Sequence, residues 1–258
     1  MQSVIAYFQQ YHAITCAGDL TWAHAVNSRE KLKVALHNSQ VMIVESDILR
    51  TKKGEIIAAH PPENQSDLNF ERLLEAIAAF PLHGLKLDFK DPAAVLPCLE
   101  RLRDCQLQQP VLLNADILTA NGAVRSPFNP AEFLELCCHL YPRGLLSIGW
   151  TTRHAPLSSY TRKNIEEMLA LCEQYALRQV TFPVRASLLP SGWQHVARLL
   201  WQEGYTLTIW SGGPLEKRLQ DWLRRYTSPA RTCYDCTDEQ GWPFRVSSYA
   251  CYSAENHT

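Results

Sequence analysis

Carboxylates stand near the ends of two short apolar runs in this sequence. Glu45 and Asp47 close the run VMIVESD at 41–47, and Asp88 lies in the run GLKLDFK at 84–90. In a β-strand, alternate residues point to the same face, so Glu45 and Asp47 share one face if their run is a strand. Carboxylate oxygens are the ligands that hard cations such as Mg²⁺ and Ca²⁺ prefer. We therefore predict that the three carboxylates bind one divalent cation, with Mg²⁺ favoured over Ca²⁺.

Two histidines stand on either side of Glu45 and Asp47 along the chain. His24 ends the segment LTWAH, and His60 stands directly before Pro61 and Pro62. Imidazole titrates near neutral pH, so two histidines beside a cation site suit general acid and base catalysis. A histidine taken alone is more often structural, and each of the two keeps that alternative. Together they are predicted to be the acid/base pair.

Further polar side chains occupy alternate positions on the predicted strands. Lys86 and Lys90 alternate with Asp88 in GLKLDFK. A buried charge costs several kcal/mol unless it is paired, so this concentration of charge needs an explanation. Mutual salt bridging is the structural alternative for any single member of the set. The side chains predicted to line a substrate pocket are Lys86, Lys90, Asn114, Asp116, Arg185 and Trp210.

Eight short apolar runs, separated by stretches of helical periodicity, predict eight strands. The runs are LTWAH (20–24), VMIVESD (41–47), GLKLDFK (84–90), VLLNADI (111–117), LLSIGWT (145–151), QVTFPVR (179–185), TLTIWSG (206–212) and CYDC (233–236). Helix starts are predicted from capping residues and prolines, at Asp91–Pro92, Asn129–Pro130, Ser158–Thr161 and Gly213–Pro214. Lys53–Gly54 predicts a hairpin turn.

This order of elements predicts an α/β protein with a single (β/α)8 TIM-type barrel, and a doubly wound open sheet is the alternative. Catalytic groups of such barrels gather at the C-terminal ends of the strands, which is where most of the polar residues above are found. No Pro/Gly-rich linker divides the 258 residues. We expect one domain over 1–258, with a core at about 14–236 and a C-terminal extension at 237–258.

Composition and charge exclude several classes of protein. A hydrophobic content of 46% excludes disorder as the main state, and 25 Lys and Arg against 26 Asp and Glu leave no basic field to hold double-stranded DNA. No segment approaches the roughly 20 apolar residues of a membrane-spanning helix. The N-terminus lacks the pattern of a secretory signal, and the nine cysteines lie mostly in apolar runs, as reduced thiols do. We expect a cytoplasmic location, while no feature specifies an oligomeric state.

The order of the motifs resembles that of the phospholipase C-like phosphodiesterase superfamily. The motifs that support this resemblance are HAVN at 24–27, ESD at 45–47, HPP at 60–62 and LDFK at 87–90. Within this superfamily, the motifs most resemble those of the sphingomyelinase D toxins and the glycerophosphodiester phosphodiesterases. The blocks HAVNS, LKLDFK, NADIL, SIGWTT, VTFPVRA and LTIW are similar to the menorin-domain family and run from about residue 20 to residue 236.

The resemblance implies a metal-dependent barrel of the phosphodiesterase type and assigns roles to matching positions. The superfamily's three metal ligands and two acid/base histidines correspond to Glu45, Asp47, Asp88, His24 and His60. Lys90 resembles the phosphate-contacting lysine, and Trp210 resembles the aromatic residue that lines the substrate mouth. The first histidine is not followed by Arg-Gly, and the second is followed by Pro rather than Asp or Gly. These departures argue against a glycerophosphodiester substrate.

The predicted function is a metal-dependent phosphodiesterase that uses histidine acid/base catalysis. It would act on a phosphodiester of a lipid, a nucleotide or RNA, as a hydrolase or as a lyase that forms a cyclic phosphate. Two alternatives stay open. Lys86 or Lys90 could form a Schiff base, as in aldolase-type lyases. The barrel could instead be a non-catalytic adaptor or scaffold with a degenerate site.

Overall fold

The computed structural model of the chain describes residues 1–152 and 159–246. Its strands are β1 (Trp22–Ala23), β2 (Ile43–Arg50), β3 (Ile56–Ala58), β4 (Gly84–Phe89), β5 (Val111–Thr119), β6 (Leu145–Thr151), β7 (Val180–Arg185), β8 (Tyr205–Trp210) and β9 (Thr232–Asp235). Its α-helices are α1 (Gln2–Phe8), α2 (Arg29–Leu36), α3 (Phe70–Ala79), α4 (Val95–Cys105), α5 (Pro130–Leu140), α6 (Arg162–Gln174), α7 (Leu189–Val196) and α8 (Lys217–Tyr226). Within the described residues, no helix is both long enough and apolar enough to cross a membrane.

The chain forms two compact units, named here after their strands. The β1–β6 unit comprises Trp22–Thr119 and Val124–Thr151. The β7–β9 unit comprises the described residues of Met1–Thr21, Ala120–Ala123 and Thr152–Thr258. The organisation expected from sequence, one domain over 1–258 with a core and an extension, stays a prediction.

Five strands of the β1–β6 unit form a parallel series in the order β1, β2, β4, β5 and β6. The register aligns Asp47 of β2 with Asp88 of β4, and Asp88 with Asn114 of β5. Because the strands are parallel, residues that share a register line up across the sheet with their side chains on one face. This register places polar side chains from three strands side by side.

Three helices of the β1–β6 unit, α2, α3 and α5, begin at side-chain caps. The Ser28 hydroxyl accepts a hydrogen bond from the Lys31 N–H at the start of α2, and the Asn69 amide oxygen accepts one from the Arg72 N–H at the start of α3. Such caps satisfy backbone donors that the first turn leaves without partners. Asn129 caps α5 directly before Pro130, which confirms the helix start predicted there.

Apolar residues on the opposite face of β4 attach the helices to the sheet. Leu85, Leu87 and Phe89 alternate with the charged residues of the strand and are at most 1% exposed. The Phe89 ring packs edge to face against Phe133 of α5, with centroids 6.1 Å apart. Burial of a side chain of this size contributes roughly 1.5 to 3 kcal/mol, which fixes β4 and the polar residues on its other face.

The β7–β9 unit contains three parallel strands, β7, β8 and β9, with α1, α6, α7 and α8. Thr161 caps α6 and forms a capping box with Asn164, as predicted for this start, while Ser158 lies outside the described residues. The start predicted for α8 at Gly213–Pro214 is wrong, because the helix begins at Lys217. The Leu215 N–H donates to the Thr237 carbonyl at 2.8 Å, which keeps this residue outside the helix.

Each of the eight predicted runs contains a strand, and the boundaries differ by at most three residues. The largest difference is at β2, which continues to Arg50. The added residues pair antiparallel with β3, a short strand that follows the predicted turn at Gly54 (φ 87°). The hairpin thus lengthens β2 beyond what its own apolar run indicates.

One glycine of the β7–β9 unit offers a direct test of this backbone. Gly204 precedes β8 with φ +86°, and a Cβ at this position would lie 2.2 Å from the Arg178 carbonyl oxygen. We expect Gly204→Ala to lower the free energy of unfolding by about 2 kcal/mol or more, through backbone strain and this clash. Gly212→Ala is the matched control, because no atom lies within 4 Å of its added Cβ. Urea unfolding compares the two, and equal midpoints would contradict the described turn.

Candidate active site

Three carboxylates converge in the β1–β6 unit. One oxygen from each of Glu45, Asp47 and Asp88 lies within 4.8 Å of the other two. Glu45 is 0% exposed and Asp47 is 3% exposed, and both are on β2. The structure therefore brings together the three residues predicted as metal ligands. Three negative charges at this separation repel one another strongly unless cations compensate them.

Glu45 is the least compensated member of this set. Its Oε2 accepts a 2.6 Å hydrogen bond from the Ala25 N–H and lies 3.4 Å from Nδ1 of His24. Its Oε1 is buried and has no hydrogen-bond partner among the described residues. Burial raises the pKa of Glu45 to about 7; the charges of Asp47 and Asp88 act in the same direction, while His24 and Lys86 oppose it. A buried acceptor without a donor is costly, and a divalent cation is the kind of group that would satisfy it.

Asp47 is oriented by Asn27, a residue that the sequence did not predict as part of the site. The Asn27 amide nitrogen donates to Oδ2 of Asp47 at 2.6 Å, and its amide oxygen accepts from the Asp47 N–H at 3.0 Å. This two-point contact fixes the carboxylate plane and leaves Oδ1 facing Nζ of Lys90 at 3.2 Å. Asn27 belongs to the segment HAVN, in which only His24 was predicted to act in the site.

Asp88 is held by a chain of hydrogen bonds that crosses three strands. The Ser147 hydroxyl donates to Oδ1 of Asn114 at 2.6 Å, and the Asn114 amide nitrogen donates to Oδ1 of Asp88 at 2.7 Å. Nζ of Lys90 lies 2.6 Å from the other carboxylate oxygen. Burial pushes the pKa of Asp88 upward, but the charges of Lys90 and Lys86 and the hydrogen bonds outweigh it and lower the pKa. Asp88 is therefore an anion at neutral pH.

Lys90 and Lys86 are both enclosed in the unit. Burial acts to lower the pKa of Lys90, but Asp88, Asp47 and Asp116 outweigh it and raise the pKa well above its usual value. Lys86 is 4% exposed, and its Nζ lies 5.7 Å from the centroid of the Trp22 ring. A Schiff-base lysine must lose its proton before it attacks a carbonyl. The carboxylates around Lys90 oppose that loss, which argues against the aldolase alternative at this residue.

The two predicted histidines differ in their contacts. His24 faces Glu45, as described, and 51% of its side chain is exposed. Nδ1 of His60 lies 2.7 Å from the Pro61 carbonyl oxygen. The preceding residue, Ala59, donates its N–H to the Asp47 carbonyl at 2.9 Å, so the chain that carries His60 is attached to β2 beside the carboxylates. His24 thus contacts the acidic set directly, and His60 is one residue beyond a backbone contact with it.

The converging carboxylate set does not include Asp116, and Arg185 and Trp210 do not belong to it either. Asp116 follows Asn114 on β5 by two residues, and the Ser126 hydroxyl donates to its backbone carbonyl at 2.6 Å. Arg185 and Trp210 belong to the β7–β9 unit, at the ends of neighbouring strands. The Arg185 guanidinium lies 5.7 Å from the centroid of the Trp210 ring. Pocket lining by these three residues stays a prediction.

The β7–β9 unit has a further acidic residue that was not among the predicted site residues. Asp235 ends β9, is 5% exposed and aligns in register with Trp210. It lies in the predicted strand CYDC, and the alternation of residues within so short a strand gives little signal. Arg185, Trp210 and Asp235 therefore stand side by side at the ends of three parallel strands.

Comparison with solved structures identifies the fold. A glycerophosphodiester phosphodiesterase from Parabacteroides distasonis superposes with a TM-score of 0.53 and 11% identity, over 86% of this chain and 94% of that one. A glycerophosphodiester phosphodiesterase from Agrobacterium tumefaciens gives a TM-score of 0.51 and 8% identity, over 90% and 99%. The chain thus shares the barrel fold of these two enzymes. This confirms the predicted (β/α)8 class over the open sheet.

Comparison of sequences identifies the family. Residues 17–241 match the Menorin N-terminal domain. The human protein FAM151B is 31% identical over 261 residues, which cover 95% of this chain and 92% of that protein. The chain belongs to the menorin family, as its motif order predicted.

Proposed function

We propose that this chain is a metal-dependent phosphodiesterase with its active site at Glu45, Asp47 and Asp88. The observation that carries the proposal is the buried Oε1 of Glu45, which has no hydrogen-bond partner among the described residues and stands within a set of three converging carboxylates. A buried carboxylate oxygen without a partner is costly, and a cation held by three carboxylates would offset that cost. The phosphodiesterase fold supports the same assignment.

The donor set suits one divalent cation. Glu45, Asp47 and Asp88 would hold it, and Asn27 and Asn114 would keep two of these carboxylates in orientation through the hydrogen bonds described above. When bound, the cation would neutralise the negative charge that develops on the phosphoryl oxygens. Lys90 would add a second positive charge beside the phosphate, as in the predicted phosphate-contacting role.

The histidine contacts suggest a division of roles in proton transfer. A carbonyl oxygen only accepts hydrogen bonds, so the contact with Pro61 places a proton on Nδ1 of His60 and leaves Nε2 of the neutral ring with a free lone pair. His60 would therefore take the proton from the attacking hydroxyl. His24, whose Nδ1 lies 3.4 Å from Oε2 of Glu45, would give its proton to the leaving oxygen.

The attacking hydroxyl decides the product. A neighbouring hydroxyl of the substrate would give a cyclic phosphate, whereas water would give an open monoester. The substrate would be a phosphodiester of a lipid, a nucleotide or RNA. The direct test is cleavage of a chromogenic phosphodiester by the purified chain, with Mg²⁺ added and then removed by EDTA. Turnover that is unaffected by EDTA would reject the metal-dependent mechanism.

Cation binding should also be visible in stability, because a ligand that binds only the folded state stabilises it. We expect saturating Mg²⁺ to raise the melting temperature of the EDTA-treated chain by about 5 °C or more. The Asp47→Asn variant should lose this response, while Asp67→Asn, an exposed change between β3 and α3, should keep it. Differential scanning fluorimetry measures both. An equal response in the two variants would place the cation elsewhere.

A further inference from the structure

The outer face of α8 carries an unusual combination of side chains. Leu223 and Gln220 are buried on the inner side of this helix. At about 100° per residue, Arg218, Trp222 and Arg225 lie on the opposite side, within about 60° of one another. Arg218 and Arg225 are exposed, and Trp222 between them is half-buried. We call Arg218, Trp222, Arg225 and Tyr226 the α8 stripe.

The two aromatic rings of the α8 stripe stack on each other. Trp222 and Tyr226 are stacked with centroids 4.9 Å apart, and Arg225 lies over Tyr226 at 5.5 Å. Trp193 of α7 meets Trp222 edge to face at 5.6 Å. Tyr226 is 45% exposed, so this stack is presented to solvent on the β7–β9 unit.

The two arginines of the stripe have no acidic partner in the described part of the chain. The one acidic residue of α8, Asp221, pairs instead with Lys217 and Arg224 at 3.1 and 3.2 Å. The stripe therefore combines net positive charge with amphipathic aromatic rings. Arginine beside Trp and Tyr is typical of surfaces that lie at the headgroup level of an anionic membrane.

Single-stranded nucleic acid is the other polyanion that binds arginine and aromatic residues. It would need an open ring face on which a base can stack. The Tyr226 ring is already engaged by two neighbours, because Trp222 stacks on it and Arg225 lies over it. At a lipid interface, only the edges and polar groups of the rings must reach the headgroups. Rings whose faces are already engaged therefore suit a membrane surface better than single-stranded nucleic acid.

We propose that the α8 stripe docks the protein on the surface of a membrane that contains anionic lipid. Arg218 and Arg225 would contact the lipid phosphates and carboxylates, and Trp222 and Tyr226 would lie between the headgroups. This is a peripheral contact that goes beyond the phosphodiesterase proposal and does not depend on it.

Co-sedimentation of the full chain with vesicles tests the proposal. We expect binding to phosphatidylcholine vesicles that contain phosphatidylserine, weaker binding at high salt, and little binding to phosphatidylcholine alone. Neutralising both arginines, as Arg218→Gln with Arg225→Gln, should lower the partition coefficient by about thirty-fold. Tyr226→Ala should lower it several-fold.

The matched control is Arg29→Gln with Arg72→Gln, which removes two exposed arginines from α2 and α3 of the other unit. This variant should bind vesicles like the unchanged chain. Equal losses in the two double variants, no binding to either vesicle, or binding to a single-stranded oligonucleotide in place of vesicles would each overturn the proposal. Cleavage of a water-soluble phosphodiester should be the same in the Arg218/Arg225 variant, which separates this proposal from the phosphodiesterase proposal.

Discussion

Replacement of Glu45 by glutamine is expected to abolish cation binding and to lower phosphodiester cleavage by about 10³-fold, while the chain stays folded. The amide keeps the shape of the side chain and retains an oxygen that can accept from the Ala25 N–H. It removes the charge that a divalent cation needs, and a lost electrostatic contact at a transition state costs about 10²- to 10³-fold in rate. Isothermal titration with Mg²⁺ and a cleavage assay measure the two losses.

The same variant gives a pH signature in the metal-free protein. Burial raises the pKa of Glu45 to about 7 in the folded chain, above its value of about 4.3 in the unfolded chain. The folded state thus binds the proton more tightly, so this contribution to stability is fully present below about pH 4.3 and is lost as pH rises to about 7. The loss is on the order of 3 kcal/mol. Glu45→Gln should not show it.

Urea unfolding in EDTA at about pH 5 and about pH 8 separates the two proteins. The unchanged chain should lose more stability than Glu45→Gln between these two values. Glu75→Gln, an exposed change on α3, is the control that should follow the unchanged chain. Parallel curves for all three proteins, or normal Mg²⁺ binding by Glu45→Gln, would remove Glu45 from the site.

Alanine at His24 or at His60 is expected to lower phosphodiester cleavage by about 10²-fold or more, the usual scale of general acid/base catalysis. Cation binding should survive both changes, because neither ring belongs to the carboxylate set. One ring must start neutral and the other charged, so the unchanged chain should show a bell-shaped pH profile. Each variant should lose the limb that its histidine supplies.

The assignment of roles makes these profiles specific. His60→Ala should lose the acidic limb, because His60 acts as the base, and His24→Ala should lose the basic limb. His139→Ala, an exposed change on α5, should leave both limbs unchanged. Near-normal turnover in either site variant would end the paired mechanism, and exchanged limbs would reverse the roles of the two histidines.

Local sequence determined the elements and the face on which the acids lie. Each of the eight short apolar runs contains a strand, and strand alternation by itself places Glu45 and Asp47 on one side. The caps at Asn129 and Thr161 fix helix starts from contacts within four residues, so they could be predicted from the sequence. The family could be predicted from the order of the motifs, because that order is a property of the sequence alone.

Tertiary structure decided which residues from distant segments meet. The register of β2 with β4 sets Asp47 beside Asp88, and no local signal specifies a register between parallel strands joined by a long connection. The Asn27 contact with Asp47 and the Ser147 contact with Asn114 span 20 and 33 residues, so neither could be predicted from spacing. The start of α8 depends likewise on a contact with Thr237.

The sequence thus indicated the charged groups of the site and Asn114, and the fold revealed Asn27 and Ser147, the other neutral residues that orient them. The physical reason lies in the cost of burial. A charged side chain within an apolar run is costly to bury and therefore rare, so it is easily recognised in the sequence. A buried asparagine or serine is common, and it becomes informative only when its hydrogen-bond partner is known. The pKa of Glu45 illustrates the same point, because it depends on desolvation by neighbours from several strands.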